Sequence, residues 1–391
     1  MRIIYLGSFR LPNGDAAAAR VLNVARTLRL AGHEISFISW GGLEGDETRS
    51  EDGVCKVDGF PFVVTGEIDY TGGLLNKAKT WLQQGNRTKF LLRKQLGQYD
   101  AIISYNCSII GWLVSFCKKN NIKLISDLTE WYSFSELKPI SIPKYLWDMT
   151  VVQRSVLNKI VISSYLDNYY YESHNIVVPA TCDAAEDKWH NNLGYAEAFI
   201  SPFEGITLIY AGTPAKKDLV HNVVNAVQKL AVEGYPLRFV ILGITRDQYL
   251  ANYSNLLYTC NLHKNIIFLG RVTQDVIPSF YHASDFMIFL RERNRKSNAG
   301  FPTKFAESFT SGTPVIANLT SDLGMYLMDT KTGFVVNEPT VESVYNVLKN
   351  KVISMDRDNI NDLKKRTKAV AVRLDYHSYK TQLKDFINNL K

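Results

Sequence analysis

Long hydrophobic runs are missing from this 391-residue chain: no stretch reaches the ~18 apolar residues of a membrane-spanning helix. The opening MRIIYLGSFRLPNG carries an apolar run too short for a signal peptide, so a cytoplasmic location is expected. Cysteine is scarce. The five residues Cys55, Cys107, Cys117, Cys182 and Cys260 are odd in number and form no CxxC pair, which argues against a disulfide framework or a zinc ribbon. All five are expected to be reduced, and no metal site is expected. Low-complexity segments are absent. No GxGxxG follows the first apolar run, which counts against a nicotinamide enzyme. The net charge of +7 suits an anionic partner such as a phosphate-bearing substrate or a membrane surface. Nucleic acid is not expected as a partner, because the cations sit in loops and not along an aromatic-bearing face.

What is present is an alternation of short apolar runs with helical patterns. The first series of runs is 3–6, 35–39, 101–104, 123–126, 160–163 and 176–178. The second is 206–211, 238–242, 265–269, 286–290, 314–317 and 333–336. Continuous apolar runs suit parallel strands covered on both faces, and alternation with helices gives βαβ units. The two series echo each other. RIIYLGSF (2–9) and TLIYAGTP (207–214) are each strand, glycine, then hydroxyl residue. Each leads to a helix, 15–31 and about 217–233, stopped by Gly32 and Gly234, where a left-handed cap costs least. The spacing predicts an α/β protein with two Rossmann-like domains in tandem, 1–181 and 182–372. A final helix in 373–391 is expected to return to the first domain.

In facing α/β sheets, ligand chemistry belongs to the loops after the strands, around a central cleft. After the run ending at Leu290 the loop RERNRKSNAGFPTK holds Arg291, Arg293, Arg295 and Lys296. Gly300 permits close backbone approach, and Pro302 fits the first turn of a helix. The N–H groups of Thr303, Lys304 and Phe305 at that helix start form an expected anion site. Phe301, Phe305 and Phe309 share one face, and Glu307 lies off it, roughly 6 Å further along the axis at ~1.5 Å per residue. A nucleoside diphosphate has its ribose about that far from its phosphates, so Glu307 is a candidate ribose acceptor; the plainer reading pairs it with Lys304. Further candidates are Gly212, Thr213, Lys216 and Lys217 in YAGTPAKKD, Gly243 in ILGITRDQ, and Gly270, Arg271 and Val272 in FLGRVTQD. Gly14 is the candidate at a helix start in the first half. His33 reads as structural, following the Gly32 cap. The DxD triplet of MDRD (355–358) follows no buried strand and is set aside.

With these residues in hand, the chain resembles retaining glycosyltransferases of the GT-B architecture, family four of that class. The likeness rests on GHEISFIS (32–39), YAGTPAKKD, FLGRV, SDFMIF, GFPTKFAESFTSGTPVIA and TGFVV, and covers most of the length. It is strongest to enzymes that build bacterial capsular or O-antigen polysaccharides. The resemblance implies sugar transfer with retention from a nucleoside diphosphate donor, UDP or GDP, with no metal and no further cofactor. It also implies that Glu307 binds ribose, that Lys216 or Lys217 binds diphosphate, and that the N–H groups from Gly300 through Phe301 to Lys304 serve sugar and phosphate. Gly270, Arg271 and Val272 would contact the base. The family's usual first glutamate falls here on Ala299, so Arg291 or Arg295 would take its place. The usual His-Asp reads Ser126-Asp127, which makes Asp127 and Glu130 of DLTEWY the candidates facing the reacting carbon.

The expected acceptor is a saccharide or polyprenyl-linked saccharide. The segment 74–96 mixes Trp81, Phe90, Leu91 and Leu92 with Lys77, Lys79, Arg87, Lys89, Arg93 and Lys94. That is a candidate peripheral contact with the inner face of the membrane, or a solvated helix pair on the first sheet. The rival functions are a GT-B sugar-nucleotide epimerase, which needs no acceptor, and a non-catalytic sugar-nucleotide-binding assembly subunit.

Overall fold

The apolar runs form two sheets in two units of the chain. The computed structural model describes all residues except 13, 15, 41–54, 66–72, 74–84, 133–136, 138, 191–192, 201 and 215–216. Met1–Thr181 with Tyr376–Lys391 make the first unit, and Cys182–Asp375 the second. No helix among the described residues is long and apolar enough to cross a membrane.

In the first unit, in chain order, are β1 (Arg2–Gly7), α1 (Ala16–Leu30), β2 (Glu34–Ser39), β3 (Cys55–Val57), β4 (Phe60–Val64), β5 (Ala101–Tyr105), α2 (Ile110–Asn120), β6 (Lys123–Leu128), β7 (Asn158–Val161) and β8 (His174–Val177). The sheet order is β3-β4-β2-β1-β5-β6-β7-β8. Every pairing is parallel except β3 with β4. Side chains of β1 alternate between two buried layers: Ile3 and Tyr5 pack towards α1, and Ile4 and Leu6 towards α2. Burial on both faces is why the strand reads as an unbroken apolar run. The β3–β4 hairpin was not expected from the apolar pattern. Its two loop residues, Asp58 and Gly59, both have positive φ, as type I′ turns require.

The second unit contains β9 (Ile206–Tyr210), α3 (Val220–Val232), β10 (Leu237–Leu242), α4 (Arg246–Tyr253), β11 (Ile266–Gly270), β12 (Phe286–Phe289), α5 (Arg295–Ala299), α6 (Thr303–Thr310), β13 (Val315–Ala317), β14 (Gly333–Val335) and α7 (Arg357–Ala371). Its all-parallel order is β11-β10-β9-β12-β13-β14. This is the 3-2-1-4-5-6 order of a Rossmann sheet, which reverses direction between β9 and β12; such a switch point opens a crevice at the strands' carboxyl ends. Two local expectations are corrected here. The helix expected from about 217 starts at Val220. Asp218 instead bridges to Arg291, and the Leu219 N–H donates to the Leu290 carbonyl at 3.0 Å, so this stretch extends beside the β12 loop. The loop before Gly300 also contains α5, whose start is capped by the Asn294 side chain.

The chain leaves the second unit after Asp375. Its last helix, α8 (Lys380–Asn388), buries Leu383, Phe386 and Ile387 in the same layer as Ile3, Tyr5 and α1.

Candidate functional site

Three glycines stand at the carboxyl ends of neighbouring strands in the second unit. Gly243 donates its N–H to the Gly270 carbonyl at 2.6 Å, and Gly270 donates to the Ile244 carbonyl at 3.1 Å. A Cβ on Gly243 would lie 2.5 Å from the carbonyl carbon of Gly212, and Gly243 has φ +97°. No other residue type fits there. The Thr213 hydroxyl donates to the Gly243 carbonyl at 3.2 Å, which joins the first two loops. Beyond them, Thr245 caps α4 in a capping box with Gln248. Arg271 is exposed and Val272 half-buried. The structure therefore brings Gly212, Thr213, Gly243 and Gly270 to one edge. Lys216 lies outside the described residues.

At the switch point itself sits a buried ionic cluster. Asp218 is 4% exposed. Its Oδ1 accepts from Arg291 Nε at 3.1 Å, and its Oδ2 accepts from Lys304 Nζ at 3.0 Å and from the Tyr210 hydroxyl at 2.7 Å. Lys304 also donates to the Tyr210 oxygen at 2.7 Å and lies 4.0 Å from the centre of that ring. Burial would raise the Asp218 pKa, but Lys304 and Arg291 outweigh it and hold the carboxyl well below its ordinary range. Arg291 was expected to reach the donor sugar. Its guanidinium is instead buried against Asp218, and Asn318 ties its backbone in both directions. Asp218 and Tyr210 were not singled out from the sequence. The available signal was a carboxylate directly after a lysine pair, in a loop following a strand.

Helix α6 follows Pro302, and no side chain caps its start. One of the three N–H groups expected to point outwards is spent: Phe305 donates to the Pro302 carbonyl at 3.0 Å. Those of Thr303 and Lys304 remain the candidates for an anion. Phe301, Phe305 and Phe309 are buried, with Phe305 stacked on Phe309 at 4.2 Å, so the apolar face is anchored as its spacing implied. Glu307 is half-buried off that face. It does not pair with Lys304, whose ammonium is taken by Asp218. The Tyr281 hydroxyl, which donates to the Lys304 carbonyl at 3.5 Å, is in the electrostatic surroundings of Glu307 instead, with Lys188 and Cys182. Burial raises the Glu307 pKa, opposed by Lys188, Lys304 and the Tyr281 hydroxyl. Ala299, at the place of the family's other glutamate, is fully buried at the end of α5, while Arg295 at the start of that helix is exposed.

Residues 198–369, all within this second unit, match the family described as glycosyl transferases group 1.

The sequence matches no curated protein. Solved structures do resemble it along its whole length. Anabaena HepE in complex with UDP-glucose is 14% identical, with TM-score 0.70 over 100% of both chains. A sucrose-phosphate synthase from Thermosynechococcus elongatus is 13% identical, with TM-score 0.70 over 100% of this chain and 98% of the other. WaaG, a glycosyltransferase involved in lipopolysaccharide biosynthesis, is 13% identical, with TM-score 0.64 over 99% and 100%. At these identities the likeness establishes the fold, which is GT-B.

Two acidic candidates, Asp127 and Glu130, lie in the first unit of this GT-B chain, in different surroundings. Asp127 is wholly buried and fully engaged. Its Oδ1 accepts from Arg20 at 2.9 Å, its Oδ2 accepts from Arg20 Nε at 3.3 Å, and the Tyr5 hydroxyl donates to it as well. Arg20 reaches on to the carbonyls of Val178 and Pro179. Asp127 is thus a brace between β1, α1, β6 and residues 178–179, with both carboxylate oxygens engaged. Glu130 is half-buried and accepts from the Tyr132 hydroxyl at 2.7 Å, in a setting that includes Tyr105. Gly14 lies just before α1, its N–H donating to the Arg10 carbonyl at 3.1 Å. His33 contacts the N-terminal amine at 3.3 Å, and burial lowers its pKa. In MDRD, Asp356 caps α7 by accepting from the Asn359 N–H at 2.7 Å.

Of the segment 74–96, residues 74–84, Trp81 among them, lie outside the described residues. Residues 85–94 are helical. Leu92 is buried in the α2-side layer, Phe90 is 64% exposed, and Lys89 and Arg93 lie over the Trp112 ring.

Proposed function

We propose that the chain is a retaining, metal-independent glycosyltransferase that moves a sugar from a UDP or GDP donor to a saccharide or polyprenyl-linked acceptor. The observation that carries this reading is the assembly at the β9/β12 switch point. Glycine-edged loops, an uncapped helix start and buried cations meet there, with Glu307 one turn into the helix. The group 1 match over the same residues supports it, as do the UDP-glucose bound to HepE and the role printed for WaaG in lipopolysaccharide biosynthesis.

In this reading, the second unit holds the leaving diphosphate at the N–H groups of Thr303 and Lys304, with Lys217 nearby. Fixed donors aimed at developing charge lower the barrier without reorganising. Glu307 accepts from ribose, and the Gly270–Val272 edge meets the base. Arg295, exposed at the start of α5, is the cation we assign to the donor sugar, and Glu130 is the polar candidate on the acceptor side. Among the described residues of the site, the deeply buried carboxylate Asp218 lies against two cations, and in this reading the protein's own cations neutralise the diphosphate. The product belongs to surface polysaccharide synthesis at the cytoplasmic face. Phe90 with Lys89, Arg93 and Lys94 would touch anionic lipid there.

A thermal-shift panel of UDP, GDP, ADP and CMP tests the donor class. A ligand at about 100 times its Kd adds roughly 2.7 kcal/mol of stability. Turnover of the corresponding sugar nucleotide should require acceptor, keep the anomeric configuration by NMR, and survive EDTA. Acceptor-independent conversion would point to an epimerase, and loss of turnover on chelation, restored by manganese, would refute metal independence. Flotation with anionic liposomes at low salt tests the lipid contact; protein that stays at the bottom of the gradient would refute it.

A further inference from the structure

The ionic cluster is unbalanced in charge. Arg291 and Lys304 meet one carboxylate, Asp218, and all three are largely out of water, with side-chain exposures of 8%, 12% and 3%. Lys217 is close enough to act on Lys304, but the imbalance is that of the other three alone. A purely structural pair gains by matching charges one to one, because an uncompensated buried charge is expensive. Here a second anion would complete the set. Access also has a physical basis. Gly212, with φ +123°, faces the Lys304 ammonium, and a Cβ there would lie 3.6 Å from Nζ. Without that side chain the backbone edge leaves room for a ligand to approach. Of the three ammonium protons, Asp218 and Tyr210 are described partners for two.

We infer that the Lys304 ammonium ligates the diphosphate of the donor, and that Asp218 is the positioning residue that holds it at the edge of Gly212. The inference rests on the nucleotide-sugar reading above and adds a residue pair to it. Burial lowers the Lys304 pKa, while Asp218 opposes that shift and Arg291 and Lys217 reinforce it. Other titratable groups around the ammonium and its partners are Tyr210, Glu307, Tyr281 and Tyr253. The ammonium form is the one that binds, so affinity should fall as pH rises through the lowered pKa. Asp218→Asn takes away the group that holds this pKa up, so the alkaline loss should begin at lower pH.

The test is calorimetric titration of the full chain with UDP and GDP, and with uridine and guanosine, across neutral to alkaline pH. Lys304→Met leaves Asp218 and Arg291 as a matched pair, so the fold should persist even if Asp218→Asn fails to fold. Lys304→Met should weaken the diphosphate by about 10- to 100-fold and remove the alkaline limb. The nucleoside should be affected little. If wild type binds UDP or GDP and Lys304→Met binds it equally well with the same alkaline limb, Lys304 is structural and the inference falls alone. If wild type binds neither diphosphate, the donor reading falls and takes the inference with it.

Discussion

Replacing Glu307 by glutamine separates binding from stability in a way that few substitutions in a core-adjacent helix do. If the carboxylate accepts from ribose, the bond is charge-assisted and contributes about 1.5–3 kcal/mol. At ~1.4 kcal/mol per tenfold, Glu307→Gln should weaken UDP or GDP by about 10- to 150-fold. The fold should not suffer. The three phenylalanines of α6 are on another face, and glutamine keeps the size of the side chain and an acceptor oxygen beside Tyr281. Burial raises the Glu307 pKa in the folded protein, so the ionised form at neutral pH is a cost to stability that fades as pH falls through that raised value. Glutamine removes the cost, so the variant should melt at or above the wild-type Tm at pH 7, with the difference shrinking towards acid. Nucleotide affinity of the wild type should fall over the same acid range, and that of the variant should stay flat. A 2′,3′-dideoxy nucleotide should bind wild type weakly and lose little more with the mutation. Calorimetry showing Glu307→Gln binding the diphosphate as tightly as wild type at every pH would refute the ribose contact.

Two other substitutions test neighbouring claims. Gly243→Ala places a methyl 2.5 Å from the Gly212 backbone at φ +97°, so about 1–3 kcal/mol of strain should appear as a lower Tm, with nucleotide binding lost in the molecules that still fold. Asp127→Asn leaves Arg20 buried without its counter-charge, which costs about 3–5 kcal/mol, whereas turnover per folded molecule should persist; a stable but inactive variant would restore Asp127 as a catalytic candidate.

Much of the architecture could be read locally because parallel strands covered on both faces announce themselves. The runs at 3–6, 101–104 and 206–211 became strands within a residue or two at each end, and the caps at Gly32 and Gly234 take positive φ as expected. The β3–β4 hairpin escaped because Pro61 interrupts the reading of FPFVV as a strand, although the Asp58-Gly59 pair was the turn signal. The candidate site was legible where one segment shapes it, as in the helix start and phenylalanine face of α6. It was not where strand order makes it. Nothing near Asp218 tells that Arg291 lies beside it, since that follows from β9 neighbouring β12 across 73 residues. The same blindness made Asp127 resemble a catalytic carboxylate: a polar residue near the end of a buried strand looks exposed to chemistry until its partner, Arg20, is found 107 residues away.

The first unit is closed by residues made only after the whole of the second unit. Leu383, Phe386 and Ile387 fill the layer that also holds Ile3, Tyr5 and Val21, while the second unit is one uninterrupted stretch from Cys182 to Asp375. During translation at ~5–20 residues per second, the roughly 200 residues after Thr181 take about 10–40 s to appear. Over that interval the sheet of the first unit waits on the ribosome without α8 beside α1, and the second unit can complete itself first. The order of synthesis and the order of completion are therefore reversed. A nascent chain stalled before residue 380 would expose to chaperones the apolar surface of the first unit that Leu383, Phe386 and Ile387 cover.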